Sequence, residues 1–488
     1  MMKLLEFMRV AKFSIAASMF LCLLLFFCFS SSHANQINPA EISQTIENIQ
    51  KMYAVAAVSV LVVRQDEVLF NLHSGLRDWD SKQPFSSHDM YRIGSISKSF
   101  AGMLALRLEQ KGLIDLNDSI VDYGLAPYLI NSFPEQAITL AQLLEHTAGL
   151  KDLTKAEWDY NDSKPISLKQ AFDLKLGMHK TLWPPGMHRS YSNVGPGLFG
   201  LALELKLGKS YEALMQKHVF EPLNMSHSSL MLTTEVRKHL ITGYNRDGKT
   251  PIPYWHNIYR PFAAINTNNQ DMIHWLQMLL KQDNAFLSQT DRKRLIEPTT
   301  TLAAMSGLNF GYGLGVYQWQ VDGHSFYGHG GDADGFLTRF GFNSELGLAY
   351  FVMINAFNHQ PLNQIVNLLE QQITADLSKP KYPTRLKQSS EQLDGLVGFY
   401  QQVTARFSAG SKPPKVSIEI FVQDDILFYR HNNGPATAIY KVINNQFRTV
   451  NDSVATMAFI EDQGKLYFQS PLGNFVKVYK KNAYSVRP

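Results

Sequence analysis

The chain has 488 residues, of which 45% are hydrophobic and 18% are charged, a balance typical of globular rather than disordered proteins. At about 150 residues per domain, this length favours two or three domains. The formal net charge of +4 is weak for the length and no long basic run occurs, which argues against nucleic acid as a partner.

Residues 1–34 have the features of a secretory signal peptide. Basic residues precede an apolar run over 13–29, and the tripeptide Ser-His-Ala at 32–34 matches a small-x-small cleavage site. We therefore expect residues 1–34 to be removed and the protein to be periplasmic or secreted. The alternative is an uncleaved segment, in which residues 13–29 anchor the protein in the inner membrane, because this run approaches the minimum length for spanning a bilayer.

Both cysteines, Cys22 and Cys28, lie inside this segment. The mature chain would then have no disulfide, no thiolate metal site and no cysteine nucleophile. Its stability would depend on its core, which the length of the chain permits.

The following residues combine helix and strand patterns. Helical spacing covers 38–53, a continuous β-rich run covers 55–63, and a second strand covers 67–73. Strand pairs flanked by helices predict an antiparallel sheet in an α/β or α+β domain over residues 35–377. Later patterns predict helices over 198–207, 211–223, 271–281 and 365–377, and strands within 311–321 and 346–354.

The last part of the chain changes character. Residues 378–390 are polar, contain two prolines and are interpreted as a linker. Short alternating runs separated by tight turns predict a small antiparallel β-barrel or sandwich over residues 391–488. These runs are 416–422, 426–429, 438–442, 447–450, 456–460, 465–469 and 475–479.

Ser95 and Lys98 form a Ser-x-x-Lys pattern. If this segment opens a helix, both side chains lie on one face with Cβ atoms about 5–6 Å apart. A serine hydroxyl needs a base to take its proton, and a lysine with a lowered pKa can be that base. Apolar residues at Phe100, Leu104 and Leu108 predict a buried helix with Ser95 at its entrance. Alone, the pattern also fits an N-cap serine followed by a surface lysine.

Two further phrases contain polar residues of interest. Thr139 can cap a short helix that Gly149 ends, and His146 within it is either catalytic or, as the preferred interpretation, packed at a helix end and bonded to backbone. Downstream, Tyr191-Ser192-Asn193 follows a Pro-Pro-Gly turn, and His329-Gly330-Gly331 follows a predicted strand. Taken singly, these residues fit a core tyrosine, a helix cap and a strand end.

Together, Ser95-x-x-Lys98, Tyr191-x-Asn193 and His329-x-Gly331 resemble, in order and spacing, the motifs of the serine β-lactamase and penicillin-recognising superfamily. The nearest branch is the class C-like one, which includes D-amino-acid peptidases and esterases. The resemblance covers residues 38–377. It implies an antiparallel sheet flanked by helices with an all-α subdomain, and the C-terminal region resembles the lipocalin-like barrels appended to such hydrolases.

The resemblance also implies roles for the catalytic side chains. Ser95 would form an acyl-enzyme, and Lys98 would lower the barrier to its deprotonation. Tyr191 would be a general base or proton shuttle whose phenol needs a pKa lowered by nearby cations. His329 takes a position where many relatives carry lysine.

The implied substrate-binding groups come from the second motif, Tyr191-x-Asn193, and from the third motif, which begins at His329. Asn193 would hold the substrate's amide, and Gly330 and Gly331 would contact the substrate. The backbone N–H groups of Ser95 and Asp332 would form an oxyanion hole.

The third motif departs from its relatives in ways that concern substrate charge. Relatives that recognise a free carboxylate often have a hydroxyl residue where this chain has Gly330, and Asp332 and Asp334 add two carboxylates nearby. We therefore expect the site to disfavour penicillin-like and D-Ala-D-Ala-terminal ligands. Neutral esters, amides or substrates with a free amine are the expected preference.

The sequence thus predicts an exported serine hydrolase that cleaves an amide or ester through an acyl-serine, with no cofactor or metal. The substrate would be a small molecule or peptide, with the cell wall as one source. One alternative is a cell-wall-binding or peptide-binding protein with a vestigial hydrolase fold, and another is a true β-lactamase or DD-peptidase. The chain lacks Gly-x-Ser-x-Gly and His-Glu-x-x-His, which disfavours α/β-hydrolases and zinc hydrolases.

Overall fold

The computed structural model describes residues 38–160, 164–282, 285–404, 406, 416–432 and 434–478. The predicted signal peptide and its apolar run over 13–29 lie outside the described residues. Within the described part of the chain, no helix is both long and apolar enough to cross a membrane.

Six antiparallel strands form the central sheet, in the order β2-β1-β10-β9-β8-β7. Strands β1 and β10 are adjacent interior strands of this sheet. Both are buried along almost their whole length, since helices cover both faces. This explains why residues 55–63 form a continuous apolar run rather than an alternating one. The strands are β1 (Ala57–Arg64), β2 (Glu67–Gly75), β7 (Tyr317–Val321), β8 (His324–Ala333), β9 (Phe336–Asn343) and β10 (Leu348–Ile354).

Helices enclose this sheet and continue into a helical region between β3 (Tyr91–Arg92) and β6 (Asn266–Thr267), strands that pair with each other. A further short pair is β4 (Gly243–Tyr244) with β5 (Pro251–Ile252). The helices up to the end of the sheet are α1 (Pro39–Tyr53), α2 (Ser97–Gln110), α3 (Leu140–Leu144), α4 (Lys155–Trp158), α5 (Leu168–Asp173), α6 (Val194–Leu207), α7 (Tyr211–Met215), α8 (Thr234–His239), α9 (Asn269–Leu280), α10 (Gln289–Ile296), α11 (Leu302–Met305) and α12 (His359–Thr374).

Two of the predicted helices differ from the observed ones. Thr139 caps α3 with a capping box as expected, but the helix ends at Leu144 and not near Gly149. His146 has a positive φ of 60°, so the chain leaves the helical conformation before it reaches the glycine. The predicted helix over 211–223 is divided into α7 and a π-helical turn, Gln216–Phe220.

Helix α2 lies in the middle of the core and is buried on nearly every side. The Phe100 ring stacks on Trp275 of α9 with centroids 3.8 Å apart. On another side, Gly102 lets the backbone of Leu314 approach so closely that an added Cβ would lie 2.0 Å from the Leu314 carbonyl oxygen. The loop before β7 is therefore packed directly against the helix that follows Ser95.

A closed eight-stranded antiparallel barrel forms the C-terminal region, preceded by α13 (Ser390–Leu396). The aromatic side chains of Tyr400, Phe447, Phe459 and Phe468 fill its interior. The strands are β11 (Gly398–Gln402), β12 (Ser417–Gln423), β13 (Ile426–His431), β14 (Ala436–Ile443), β15 (Gln446–Arg448), β16 (Met457–Asp462), β17 (Lys465–Ser470) and β18 (Gly473–Val478). The sequence patterns missed β11, which closes the barrel by pairing with both β12 and β18.

The barrel is bonded to the loop that precedes α6. The Arg189 carbonyl accepts hydrogen bonds from Thr404 Oγ1 at 2.8 Å and from Asn474 Nδ2 at 3.1 Å. The indole of Trp183 donates to the Val403 carbonyl at 2.8 Å. These contacts hold the end of β11 beside the loop that carries Tyr191.

The contact between α2 and the Leu314 loop leads to a stability prediction. Gly102→Ala places a methyl group against a backbone oxygen, so we expect a loss of about 2–3 kcal/mol and an apparent Tm lower by several degrees. Gly395→Ala is the matched control, because Gly395 lies in α13 with nothing within 4 Å of the added Cβ. Calorimetry of both variants checks this, and equal apparent Tm values would contradict the packing argument.

Candidate active site

Ser95 lies in a 3-10 turn, Gly94–Ile96, between β3 and α2. The sequence predicts Ser95 at the start of the helix, whereas in the structure the helix begins two residues later, at Ser97. Gly94 adopts a left-handed conformation, with φ 52°, and an added Cβ there would lie 2.6 Å from the Asp332 backbone. This close approach places the Ser95 turn against β8, on the wall of a cavity of about 750 Å³.

Lys98, in the first turn of α2, is 1% exposed and lies behind Ser95. Its Nζ is 2.9 Å from Ser95 Oγ and 2.9 Å from the Phe262 carbonyl oxygen. Burial lowers the pKa of Lys98 well below its usual value, an effect that the charge of Asp152 opposes and that of Arg406 reinforces. A lysine in this state can exist as a neutral amine and accept the serine proton.

The Tyr191 hydroxyl donates to Ser95 Oγ at 3.3 Å. Two cations flank its ring, with Lys98 Nζ 5.1 Å and Arg406 Cζ 4.8 Å from the centroid. Burial nevertheless raises the pKa of Tyr191 far above that of a free phenol, and the Ser95 hydrogen bond and Arg406 offset this only in part. The expected lowering of the tyrosine pKa is therefore wrong, because burial outweighs the cations, and Tyr191 is a protonated phenol in this site.

Asn193 is held by Asp152. The Asn193 backbone N–H donates to Asp152 Oδ1 at 2.7 Å, and its side-chain Nδ2 is 3.4 Å from Asp152 Oδ2. Its Oδ1 is buried without a hydrogen-bond partner among the described residues, and the side chain makes no cap bond to α6. Since Asn193 lines the cavity, this arrangement leaves an acceptor for a substrate N–H.

His329 lies on β8 beside the cavity and is buried. Its Nδ1 is close to the Gly330 carbonyl and donates to it, which leaves Nε2 to accept from the Tyr312 hydroxyl at 2.8 Å. Burial, with a smaller contribution from the charge of Lys98, lowers the pKa of His329 to about 3. His329 is thus neutral, and no hydrogen bond joins it to Ser95 within the described chain.

His146 matches its preferred interpretation as a packed histidine. It is buried at the end of the α3 turn, and the Ser192 N–H donates to its Nδ1 at 3.3 Å. Its ring lies 4.2 Å from that of Tyr191, measured between centroids. The contribution of His146 is therefore to support the Tyr191 loop.

The two glycines of the third motif have different environments. Gly330 lines the cavity, with an added Cβ 3.5 Å from the guanidinium of Arg339. Gly331 does not line the cavity, and an added Cβ would lie 1.9 Å from the Ile93 carbonyl oxygen. The lack of a side chain at Gly331 lets β8 approach the segment before Ser95, and a contact between Gly331 and the substrate stays a prediction.

The two aspartates also differ. Asp332 is exposed at the cavity, with its Oδ2 3.5 Å from Nε2 of His359. Asp334 is half-buried, hydrogen-bonded to Trp255 and attracted by Arg92, and burial raises its pKa. Both aspartates line the cavity, and Asp332 is the more exposed of the two.

Several residues of the site were absent from the sequence-based set. Asp152 comes two residues after the phrase that ends at Leu150, so that phrase could have indicated it. Arg339, opposite Gly330 on β9, and Arg189 line the cavity as cations. Arg406 reaches the site from the barrel region, and no local pattern in the sequence indicates this.

The neutral state of His329 leads to a prediction for stability against pH. Because its pKa in the folded protein, about 3, lies below the usual histidine value of 6.5, its contribution is present above pH 6.5 and is lost as the pH falls. Between about pH 7.5 and pH 5 the expected loss is about 2 kcal/mol. We expect His329→Gln to show a smaller drop in apparent Tm over this range than the wild type, whereas replacing the exposed His88 by Gln leaves the drop unchanged. Identical drops in all three proteins would contradict a neutral buried His329.

Comparison with known proteins is consistent with this geometry. A family profile described as Beta-lactamase matches residues 42–374. Protein flp of Staphylococcus aureus (strain N315) is 26% identical over 341 residues, which are 68% of this chain and 66%, just under two thirds, of that protein.

Two solved structures share the fold. The octameric penicillin-binding protein homologue from Pyrococcus abyssi is 20% identical with a TM-score of 0.59, and the match covers 90% of this chain and 100% of that one. The beta-lactamase/D-alanine carboxypeptidase from Yersinia pestis is 22% identical with a TM-score of 0.55, and the match covers 69% of this chain and 99% of that one. On the extent of the profile match, the chain belongs to the Beta-lactamase family of serine hydrolases.

Proposed function

We propose that this protein hydrolyses an amide or ester through an acyl-serine intermediate on Ser95. The observation that carries this proposal is the position of Ser95 Oγ on the cavity wall, 2.9 Å from Lys98 Nζ and 3.3 Å from the Tyr191 hydroxyl. An exported location is part of the same proposal and depends on residues 1–34 alone.

In the acylation step, neutral Lys98 takes the Ser95 proton while Oγ attacks the substrate carbonyl carbon. The carbonyl oxygen becomes an oxyanion, for which the backbone N–H groups of Ser95 and Asp332 are the proposed donors. Tyr191 gives its proton to the departing amine or alkoxide and regains one from protonated Lys98. Water then attacks the acyl-serine, the same groups move its proton, and the acid and free Ser95 result.

A covalent probe tests the nucleophile directly. We expect Ser95→Ala to abolish labelling by a fluorophosphonate or a penicillin probe, because the attacking oxygen is gone. Ser99→Ala is the matched control, since Ser99 Oγ is buried and bonded to the Ile96 carbonyl at 2.7 Å. Unchanged labelling of Ser95→Ala would remove Ser95 from the mechanism.

The same protein can be tested against the binding-protein alternative. With the nitrophenyl ester of a short acid, an acyl-enzyme releases a burst of nitrophenol that requires Ser95. A vestigial domain that only binds would release none.

The charge of the preferred substrate needs revision in the light of the cavity. Arg189 and Arg339 line it, and neither lies within ion-pair distance of a carboxylate in the part of the chain described here. Asp332 and Asp334 also line the cavity, but Asp334 is half-buried, bonded to Trp255 and attracted by Arg92, so its charge is less available to a substrate than that of the exposed Asp332. The guanidinium of Arg339 beside Gly330 also offers the donors that Gly330 itself lacks. We therefore propose that an anionic substrate group is accepted rather than repelled.

Matched esters test this proposal. The two substrates are nitrophenyl esters of the same short diacid, one with its second carboxyl group free and one with that group converted to a neutral amide. We expect the ester with the free carboxylate to have the higher kcat/KM, since a charge-assisted hydrogen bond contributes about 1.5–3 kcal/mol, or roughly 10–100-fold. Arg339→Gln should reduce this ratio, and Arg64→Gln, outside the cavity, should not. A preference for the neutral ester that Arg339→Gln leaves unchanged would restore the expectation from the sequence.

A further inference from the structure

A short segment that follows β11 reaches the catalytic cavity from the barrel region. Thr404 anchors it, with its Oγ1 bonded to the Arg189 carbonyl at 2.8 Å and accepting from Asn474 Nδ2 at 3.2 Å. Two residues later, Arg406 lines the same cavity as Ser95. The barrel region therefore holds a cation at the catalytic site.

Arg406 makes two contacts with catalytic groups. Its Nε donates to Asp152 Oδ2 at 2.7 Å, and its guanidinium carbon lies 4.8 Å from the centre of the Tyr191 ring. It thus joins the carboxylate that holds Asn193 to the tyrosine that is bonded to Ser95.

Asp152 depends on this partner. Its side chain is fully buried, and Arg406 is the cation within ion-pair distance of it among the described residues. Its other hydrogen bonds come from the backbone N–H groups of Leu153 and Asn193 and from the Asn193 amide. A buried carboxylate that loses its cation is destabilising and attracts any other positive charge within reach.

One positive charge that Asp152 attracts is that of Lys98 when it is protonated. Asp152 favours protonated Lys98 and Arg406 disfavours it, so the two have opposite effects on the base next to Ser95. The charged and titratable groups that act on or contact Lys98 or Tyr191 are Asp152 and His146 after α3, Arg406 after β11, Tyr312 before β7, and Asp332 and His329 on β8.

We propose that Arg406 is a positioning residue supplied by the barrel region, which neutralises Asp152 and thereby keeps Lys98 free to accept the Ser95 proton. This inference rests on the proposed acyl-serine function. It assigns the barrel region a place in catalysis, since Arg406 belongs to the connection between β11 and β12. A purely structural alternative is that the Arg406–Asp152 pair only fastens the barrel to the catalytic region.

The rate at which a fluorophosphonate labels Ser95, measured against pH, separates these interpretations without knowledge of the substrate. The labelling rate should fall at low pH as Lys98 becomes protonated, and this fall is the acidic limb of the profile. We expect Arg406→Gln to move the acidic limb to higher pH by about one unit, so that labelling at a pH within the limb is about tenfold slower than in the wild type. Arg406→Lys should retain most of the wild-type profile. Arg430→Gln is the matched control, because Arg430 is a barrel arginine whose partner is Glu419, at 3.5 Å, outside the cavity.

A double variant gives the most decisive test of this inference. If Arg406 acts by neutralising Asp152, then Asp152→Asn combined with Arg406→Gln removes the uncompensated charge, and the limb should return toward its wild-type position. A fastening role predicts instead slower labelling at every pH, an unmoved limb, a lower apparent Tm and no recovery in the double variant. That result overturns the inference while the proposed function stands. Failure of the wild type to be labelled at any pH would instead overturn the proposed function, and the inference with it.

Discussion

The arrangement around Ser95 depends on one buried amine. Lys98 is 1% exposed, and keeping a charged ammonium away from water is costly, so burial shifts this lysine toward its neutral form. The ammonium group is enclosed by Ser95, by the Phe262 carbonyl and by the rings of Tyr191 and Phe262. Close backbone packing fixes the helix that carries Lys98, because Gly315 lets the loop before β7 lie against the Lys98 carbonyl and Gly102 admits Leu314 one helical turn later.

A buried base also requires its neighbours to be balanced in charge. The structure surrounds Lys98 with neutral histidines, a protonated Tyr191 and a carboxylate, Asp152, that is already paired with Arg406. Burial is the main cause that lowers the pKa of both histidines and raises that of Tyr191. The barrel region takes part in this balance through Arg406, whose Nε donates to Asp152 Oδ2 at 2.7 Å and whose guanidinium lies beside the Tyr191 ring.

The charge of the cavity cannot be predicted by counting the charged residues near the third motif in the sequence. Asp332 and Asp334 are two residues apart on and beside β8 and both line the cavity, yet Asp332 is exposed whereas Asp334 is half-buried and bonded to Trp255. Arg339 lies ten residues beyond His329 along the chain but directly opposite Gly330 across the β8–β9 pair. Cross-strand neighbours, which are close in space and distant in sequence, therefore determine the electrostatic character of the cavity.

The sequence by itself determined the family resemblance, the antiparallel sheet between helices, most of the barrel strands, and the grouping of Ser95, Lys98, Tyr191 and Asn193. The helices and strands follow from local periodicity, caps and turns, which depend on neighbouring residues in the chain. The grouping of the four site residues is what the resemblance implies, through the order and spacing of short motifs. Only the tertiary structure decided that α3 ends before His146, that β11 closes the barrel, that Gly331 serves packing, and that Arg406 pairs with Asp152. The physical reason is that burial and ion pairing depend on which distant segments meet: Asp152 and Arg406 are 254 positions apart, and no local pattern in the sequence indicates their contact.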